Sequence, residues 1–319
     1  MSIQPQKTTL SLPVEIRWAT RMLDGRIVIS GDCITYSPAS LRSAEEDLRE
    51  VITSLKRKPV CLISRRRLRR EDAVEKEHII LQGLGTRWVF LRPGLVSDTV
   101  NNDLSTVEKQ FLRHGLMGAL RPFYTTGKKA QEFVDPRGRR VVFRHDPERG
   151  FSVELFGGDP IRPKIEPSGE GEFDIDLVLN EPATMAVSRA LAKMAYLVLC
   201  IRAPRLALSP LLNETRELIV HGRPKNYKPY SERFISGAWP GYQVFFWIEE
   251  REIGGGEAEP TRIIARLRLH HALYEISLAG GKLDAVSDDD TLYYPVPRKP
   301  GRRKRTITWR FGSISETGG

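Results

Sequence analysis

A carboxylate and an imidazole stand side by side at Glu77-His78, at the head of the apolar run EHIIL, with a glycine-bearing turn following at Gly83–Gly85. Such a pair is enough to begin phosphodiester hydrolysis. A base must deprotonate water, and a divalent cation must stabilise the pentacoordinate phosphorus and the leaving oxygen. Mg²⁺ accepts one or two protein oxygens and keeps several waters, so one acid and one amide oxygen form a sufficient protein shell. Asn101 and Asn102, where a helix is expected to start, could supply that amide. Adjacent residues on an ideal strand face opposite ways, so Glu77 and His78 converge only at a strand end or a bulge. The plainer reading of the same residues is a polar pair capping a strand.

The elements that must position these groups are read from periodicity. EHIIL and RWVFL predict two short strands joined through the glycine turn. A helix follows from about residue 102, with Leu104, Val107, Phe111 and Leu112 on its apolar face and Gly115 as its stop. Upstream, residues 12–36 read as short extended pieces such as RIVIS. After Pro38, the residues Leu41, Ala44, Leu48, Val51, Ile52 and Leu55 predict an amphipathic helix. Ser43 and Glu46 form a possible capping box, and Pro59 ends that helix.

Downstream, residues 139–156 predict a hairpin, and EFDIDLVL alternates as a strand. Pro182 opens the most apolar helix, in which Lys193 interrupts the apolar face and is expected to snorkel. A shorter helix covers roughly 210–220. YQVFFWIE, TRIIARLRLHHALYEISL and RTITWRF are strand candidates, with His270 and His271 on opposite sides of the second. The class is α+β with a mostly antiparallel sheet in the C-terminal half.

Charge narrows the partners. The chain has 319 residues, a net charge of +10 and a pI near 9.6, a surplus that suits a polyanion but also serves solubility. Arg65, Arg66, Arg67, Arg69 and Arg70 form the densest basic cluster, just before the hairpin, placed to meet phosphates. A second cluster runs from Arg298 to Arg305, and the acidic triplet 288–290 is read as a solvated loop or a partner for that arm. Three scattered cysteines, Cys33, Cys61 and Cys200, suggest a reducing compartment. The N-terminus lacks the layout of a signal peptide, and the apolar run MAYLVLCI is too short to span a bilayer, so a cytoplasmic location with no membrane partner is expected.

Residues 61–103, CLISRRRLRREDAVEKEHIILQGLGTRWVFLRPGLVSDTVNND, resemble an HNH endonuclease of the ββα-metal type. The likeness is to the bacterial subgroup that reads Cys-x-x-Cys, then Glu-His-Ile-Ile-Pro, then Cys-x-x-Cys-Asn-Asn. FLRHGLMGALRPF and the stretch from residue 189 to 222 resemble downstream segments of the same proteins, and the whole covers about half the chain. The resemblance implies that Glu77 is the acidic ligand of Mg²⁺ or Mn²⁺, His78 the general base and Asn101 the second ligand. It also suggests Arg92 or Asn102 for orienting phosphate. Leu81 stands where the family has proline. The family's four zinc thiolates map to Cys61, Ser64, Ser97 and Val100, so no structural zinc is expected, because a structural zinc needs four good ligands.

The expected organisation is therefore an N-terminal strand and helix segment (1–58), a zinc-free ββα-metal module (59–130) and a C-terminal α+β domain (131–319). The expected function is a metal-dependent endonuclease that hydrolyses DNA, with RNA as a possible substrate. The alternatives are an HNH-like module that binds nucleic acid without cutting it, or a scaffold subunit of a larger nucleoprotein complex. A role in bacterial defence follows from the family by analogy alone.

Overall fold

The computed structural model describes residues 14–22, 27–28, 34–36, 38–55, 59–84, 89–113, 115–124, 131–146, 150–156, 164–165, 171–180, 183–235, 242–254, 257–281, 283, 292–297 and 304–311. In chain order the elements begin with β1 (Val14–Met22), β2 (Ile27–Val28), β3 (Ile34–Tyr36), α1 (Pro38–Leu55), β4 (Glu77–His78) and β5 (Phe90–Leu91). There follow α2 (Asp98–Arg113), α3 (Gly115–Tyr124), β6 (Gln131–Val134), β7 (Arg140–Asp146), β8 (Gly150–Phe156), β9 (Lys164–Ile165) and β10 (Gly171–Asn180). The last group is α4 (Thr184–Arg202), α5 (Pro204–Ala207), α6 (Asn213–His221), β11 (Tyr230–Phe234), β12 (Tyr242–Gly254), β13 (Glu257–Leu269), β14 (Ala272–Ala279), β15 (Leu292–Tyr294) and β16 (Lys304–Phe311). The mixture is α+β, as the periodicities predict.

The chain divides into two compact units, each assembled from two stretches of sequence. The first comprises residues 1–108 and 188–297. Its main sheet runs β15-β11-β14-β13-β12-β1-β2, with β3 also paired to β1. Every pairing is antiparallel except that of β1 with β12. One face of this sheet is core: Val244, Phe246 and Ile248 on β12, and Ile263, Ala265, Leu267 and Leu269 on β13. The strict alternation with half-buried residues between them fixes the register, because a one-residue slip would turn the whole apolar set outward.

Within this unit α4 is buried almost all round. By length and composition it could cross a bilayer, yet 89% of its most apolar window lies inside the protein. Polar side chains tie it to its neighbours. The Tyr196 hydroxyl donates to the Leu62 carbonyl at 2.9 Å, and Arg189 donates to the carbonyls of Ile219 and Val220 at the end of α6.

The second unit comprises residues 109–187 and 298–319. Its sheet runs β16-β10-β6-β7-β8, with β9 on β10, antiparallel throughout. Helix α3 lies against β6, β7 and β10, where Leu116, Met117 and Leu120 join Val141, Phe143, Leu177 and Leu179 as buried side chains.

Several expectations are corrected. Helix α1 starts at Pro38, so Ser43 and Glu46 fall inside it and form no capping box. The two strands of the hairpin are only two residues each; residues 79–81 leave the first as irregular chain, and a 3₁₀ turn follows at Gln82–Leu84. Helix α2 begins at Asp98, four residues early, with the Ser97 hydroxyl accepting from the Val100 N–H at 3.3 Å in the manner of an N-cap. TRIIARLRLHHALYEISL is not one strand but the hairpin β13–β14. His270 and His271 form its tight turn, with His270 in the left-handed region at φ 58°. Lys193 does not snorkel: it is fully buried. Pro182, the acidic triplet 288–290 and the basic run 298–303 lie outside the described residues.

Candidate functional site

The two short strands and α2 give the chain order hairpin then helix at residues 77–113. Glu77 pairs with Leu91 and His78 with Phe90. Asp98, at the first turn of α2, accepts the N–H groups of Val74 and Glu75 at 3.1 and 3.0 Å, which fastens the approach to β4 against the helix start. Asn101 lies one turn further on. Its amide donates to Glu75 Oε2 at 3.3 Å and to the Lys76 carbonyl at 3.5 Å.

Pleating separates the acid from the imidazole. Glu77 is 2% exposed and its carboxylate meets the ammonium of Lys193, which reaches in from α4 and also contacts Glu108 on α2. Glu77 Oε2 has no hydrogen-bond partner. Burial raises the pKa of Glu77 above the usual carboxylate range, with Lys193 opposing that rise. Burial also works against the charge of Lys193, but the two carboxylates outweigh it and hold its pKa above the ordinary value. Two carboxylates and one ammonium thus share one interior.

His78 lies on the other side. Its ring meets Phe90 edge-on at 5.9 Å, and the ammonium of Lys76 sits 4.5 Å above the same phenyl ring. Burial first, then the charges of Lys76 and Lys193, lower the pKa of His78 to about 4. At neutral pH the imidazole is uncharged, and its buried Nδ1 has no hydrogen-bond partner. No hydrogen bond or ion pair joins His78 to Glu77 or Asn101. The three expected site residues are neighbours in the fold, but they spend their polar atoms on different partners.

A divalent cation fits this arrangement poorly. The Glu77 carboxylate is already compensated by an ammonium, and the described residues contain no group of three or more His, Cys, Asp or Glu arranged to hold a metal. Arg92 is engaged as well: its guanidinium meets Glu45 at 2.8 Å and Glu46 at 3.3 Å on α1, and its N–H donates to Glu45. Asn102 is exposed on α2.

The four positions mapped to zinc thiolates come together. Cys61, Ser64, Ser97 and Val100 line a single pocket of about 300 Å³, with Arg66 and His221 among its other walls. Cys61 Sγ accepts the N–H groups of Ser64 at 3.4 Å and Ser97 at 3.5 Å, one from each of the two turns. Nearby, Arg66, Arg67, Arg69 and Arg70 are exposed, and no ion pair engages them among the described residues; Arg65 is half-buried in a left-handed conformation at φ 60°.

Sequence reasoning missed Lys193 as a member of the site. A lysine within ALAKMAYLVLCI was the available signal, because a charge enclosed by apolar residues on a helix needs a buried counter-charge. Searches against family models, curated proteins and solved structures found no match to this chain.

Proposed function

We propose that this chain is a DNA-binding protein built on an HNH-like hairpin and helix whose hydrolytic site is out of use. The observation that carries this reading is the engagement of Glu77 by Lys193, which sets an internal ammonium against the carboxylate that would have to hold the cation. Backbone binding falls to the loop before the hairpin, where Arg66, Arg67, Arg69 and Arg70 are exposed and free to meet phosphates. The net charge of +10 supports the same partner class. Three scattered cysteines support a reducing, cytoplasmic setting.

The test is a duplex-binding titration against salt. Replacing these four arginines with glutamine should weaken binding uniformly across sequences and flatten the plot of log K against log salt by roughly 0.9 per lost phosphate contact. An unchanged slope would contradict the assignment of the loop.

A second reading is the metal-dependent HNH endonuclease with His78 as base. The neutral, half-buried imidazole favours it, since a general base must be unprotonated at working pH. That reading requires Glu77 to leave Lys193, so the residues as they stand do not support it.

A further inference from the structure

The outward face of the main sheet in the first unit carries a pattern that neither the hairpin nor its loop explains. On β12 the half-buried residues Gln243, Phe245 and Trp247 alternate with the core residues, and on β13 Arg266 and Arg268 do the same. Backbone pairing sets Phe245 opposite Arg266 and Gln243 opposite Arg268, then Arg266 opposite Glu275 and Arg268 opposite Leu273 on β14. On β11, Arg233 stands opposite Leu273. Strands lie roughly 4.8 Å apart, so this is a continuous surface of side chains across four strands.

The side chains on it are locked together. The Phe245 and Trp247 rings meet edge to face at 4.7 Å, and the guanidinium of Arg266 lies 4.3 Å over the Trp247 ring. Glu275 receives Arg266 at 2.5 Å, and Glu249 receives Arg262 at 3.0 Å, holding both arginines against the sheet. Arg268 reaches Gln243 at 3.4 Å. Arg233, Arg262, Arg266 and Arg268 bring four guanidinium groups to this stretch of the face, beside Glu249 and Glu275.

We propose that this face is a stacking platform for single-stranded DNA. A sheet face that offers rings and guanidinium planes together suits unpaired bases, whose faces are open, and not a duplex, whose bases are already stacked. The arginines supply both phosphate neutralisation and cation–π contact. An acidic protein partner would use the arginines but has no need of the paired aromatic rings. The surface shares no residue with the hairpin, its loop or α2, so it stands apart from the duplex-binding reading.

The experiment measures fluorescence anisotropy of a labelled 20-nucleotide oligo-dT on the full chain, beside the matching duplex and oligo-U. Wild-type protein is expected to prefer the DNA single strand. Replacing Phe245 and Trp247 together by leucine, which keeps apolar bulk but removes the π faces, should weaken that binding by at least about tenfold and leave duplex binding unchanged. The variant Arg268→Gln leaves the ring pair in place. It should lower the salt slope for single strands by about 0.7, the loss of one phosphate contact, and it serves as a second reading if the double variant fails to fold. Equal single-strand binding by the folded double variant, an unchanged salt slope in Arg268→Gln, a preference of wild type for duplex or for oligo-U, or no single-strand binding would each overturn the proposal.

Discussion

Three charges meet in the interior of the first unit, two of them negative and one positive, and their balance decides what the hairpin can do. Among the described residues Lys193 is the one cation paired with Glu77, whose second oxygen has no hydrogen-bond partner. Removing one partner of a buried pair leaves an uncompensated charge, which costs about 3–5 kcal/mol, whereas neutralising the excess charge costs far less. Lys193→Met should therefore lower unfolding free energy by about 3–5 kcal/mol in urea, and Glu77→Gln by much less. Equal losses in the two variants would show that Lys193 does not carry the charge balance of this cluster. Histidine protonation tests the other face. His78 and His270 both have folded-state pKa values lowered to about 4, in each case mainly by burial. Between about pH 4 and the unfolded-state value near 6.5 the unfolded chain binds more protons, so stability must rise with pH through that window and be lost on acidification. NMR titration of the imidazoles should find both neutral at pH 6; a His78 midpoint near 6.5 would remove the burial assigned to it.

At the scale of elements, local chemistry was the easier part to read. Alternation in YQVFFWIE and the 3.6-residue pattern after Pro38 were resolved as β12 and α1, because one face of each is buried and the other is not. The hairpin strands were overestimated because Ile79, Ile80 and Leu81 are buried beyond the two-residue strand β4, and a buried apolar run looks alike in a strand and in a turn. His270-His271 hid a turn inside an apolar run, since histidine is no strong turn signal. The junction of two turns at Cys61 was legible only by position, through Ser64, Ser97 and Val100. If that junction keeps the geometry of a thiolate site, the triple variant Ser64→Cys, Ser97→Cys, Val100→Cys should bind one Co²⁺ or Zn²⁺ per chain, with the absorption bands of tetrahedral thiolate coordination. Thiols that stay reactive and take up no metal would show that the two turns do not converge closely enough.

For the whole molecule, the sequence concealed its assembly. The hairpin and α4 are far apart in the chain, yet Lys193 brings them into one buried cluster, and periodicity carries no information about such a distant partner. For the same reason the site was half legible: the types and order of Glu77, His78 and Asn101 were plain, but not their partners. On the proposed reading, the internal ammonium on Glu77 keeps the hairpin from working as a metal-dependent nuclease. The most direct test incubates the full chain with supercoiled plasmid in Mg²⁺ or Mn²⁺, beside His78→Ala. Wild type and variant should bind the plasmid alike and neither should nick it; metal-dependent nicking by wild type that disappears in His78→Ala would show the site to be in use.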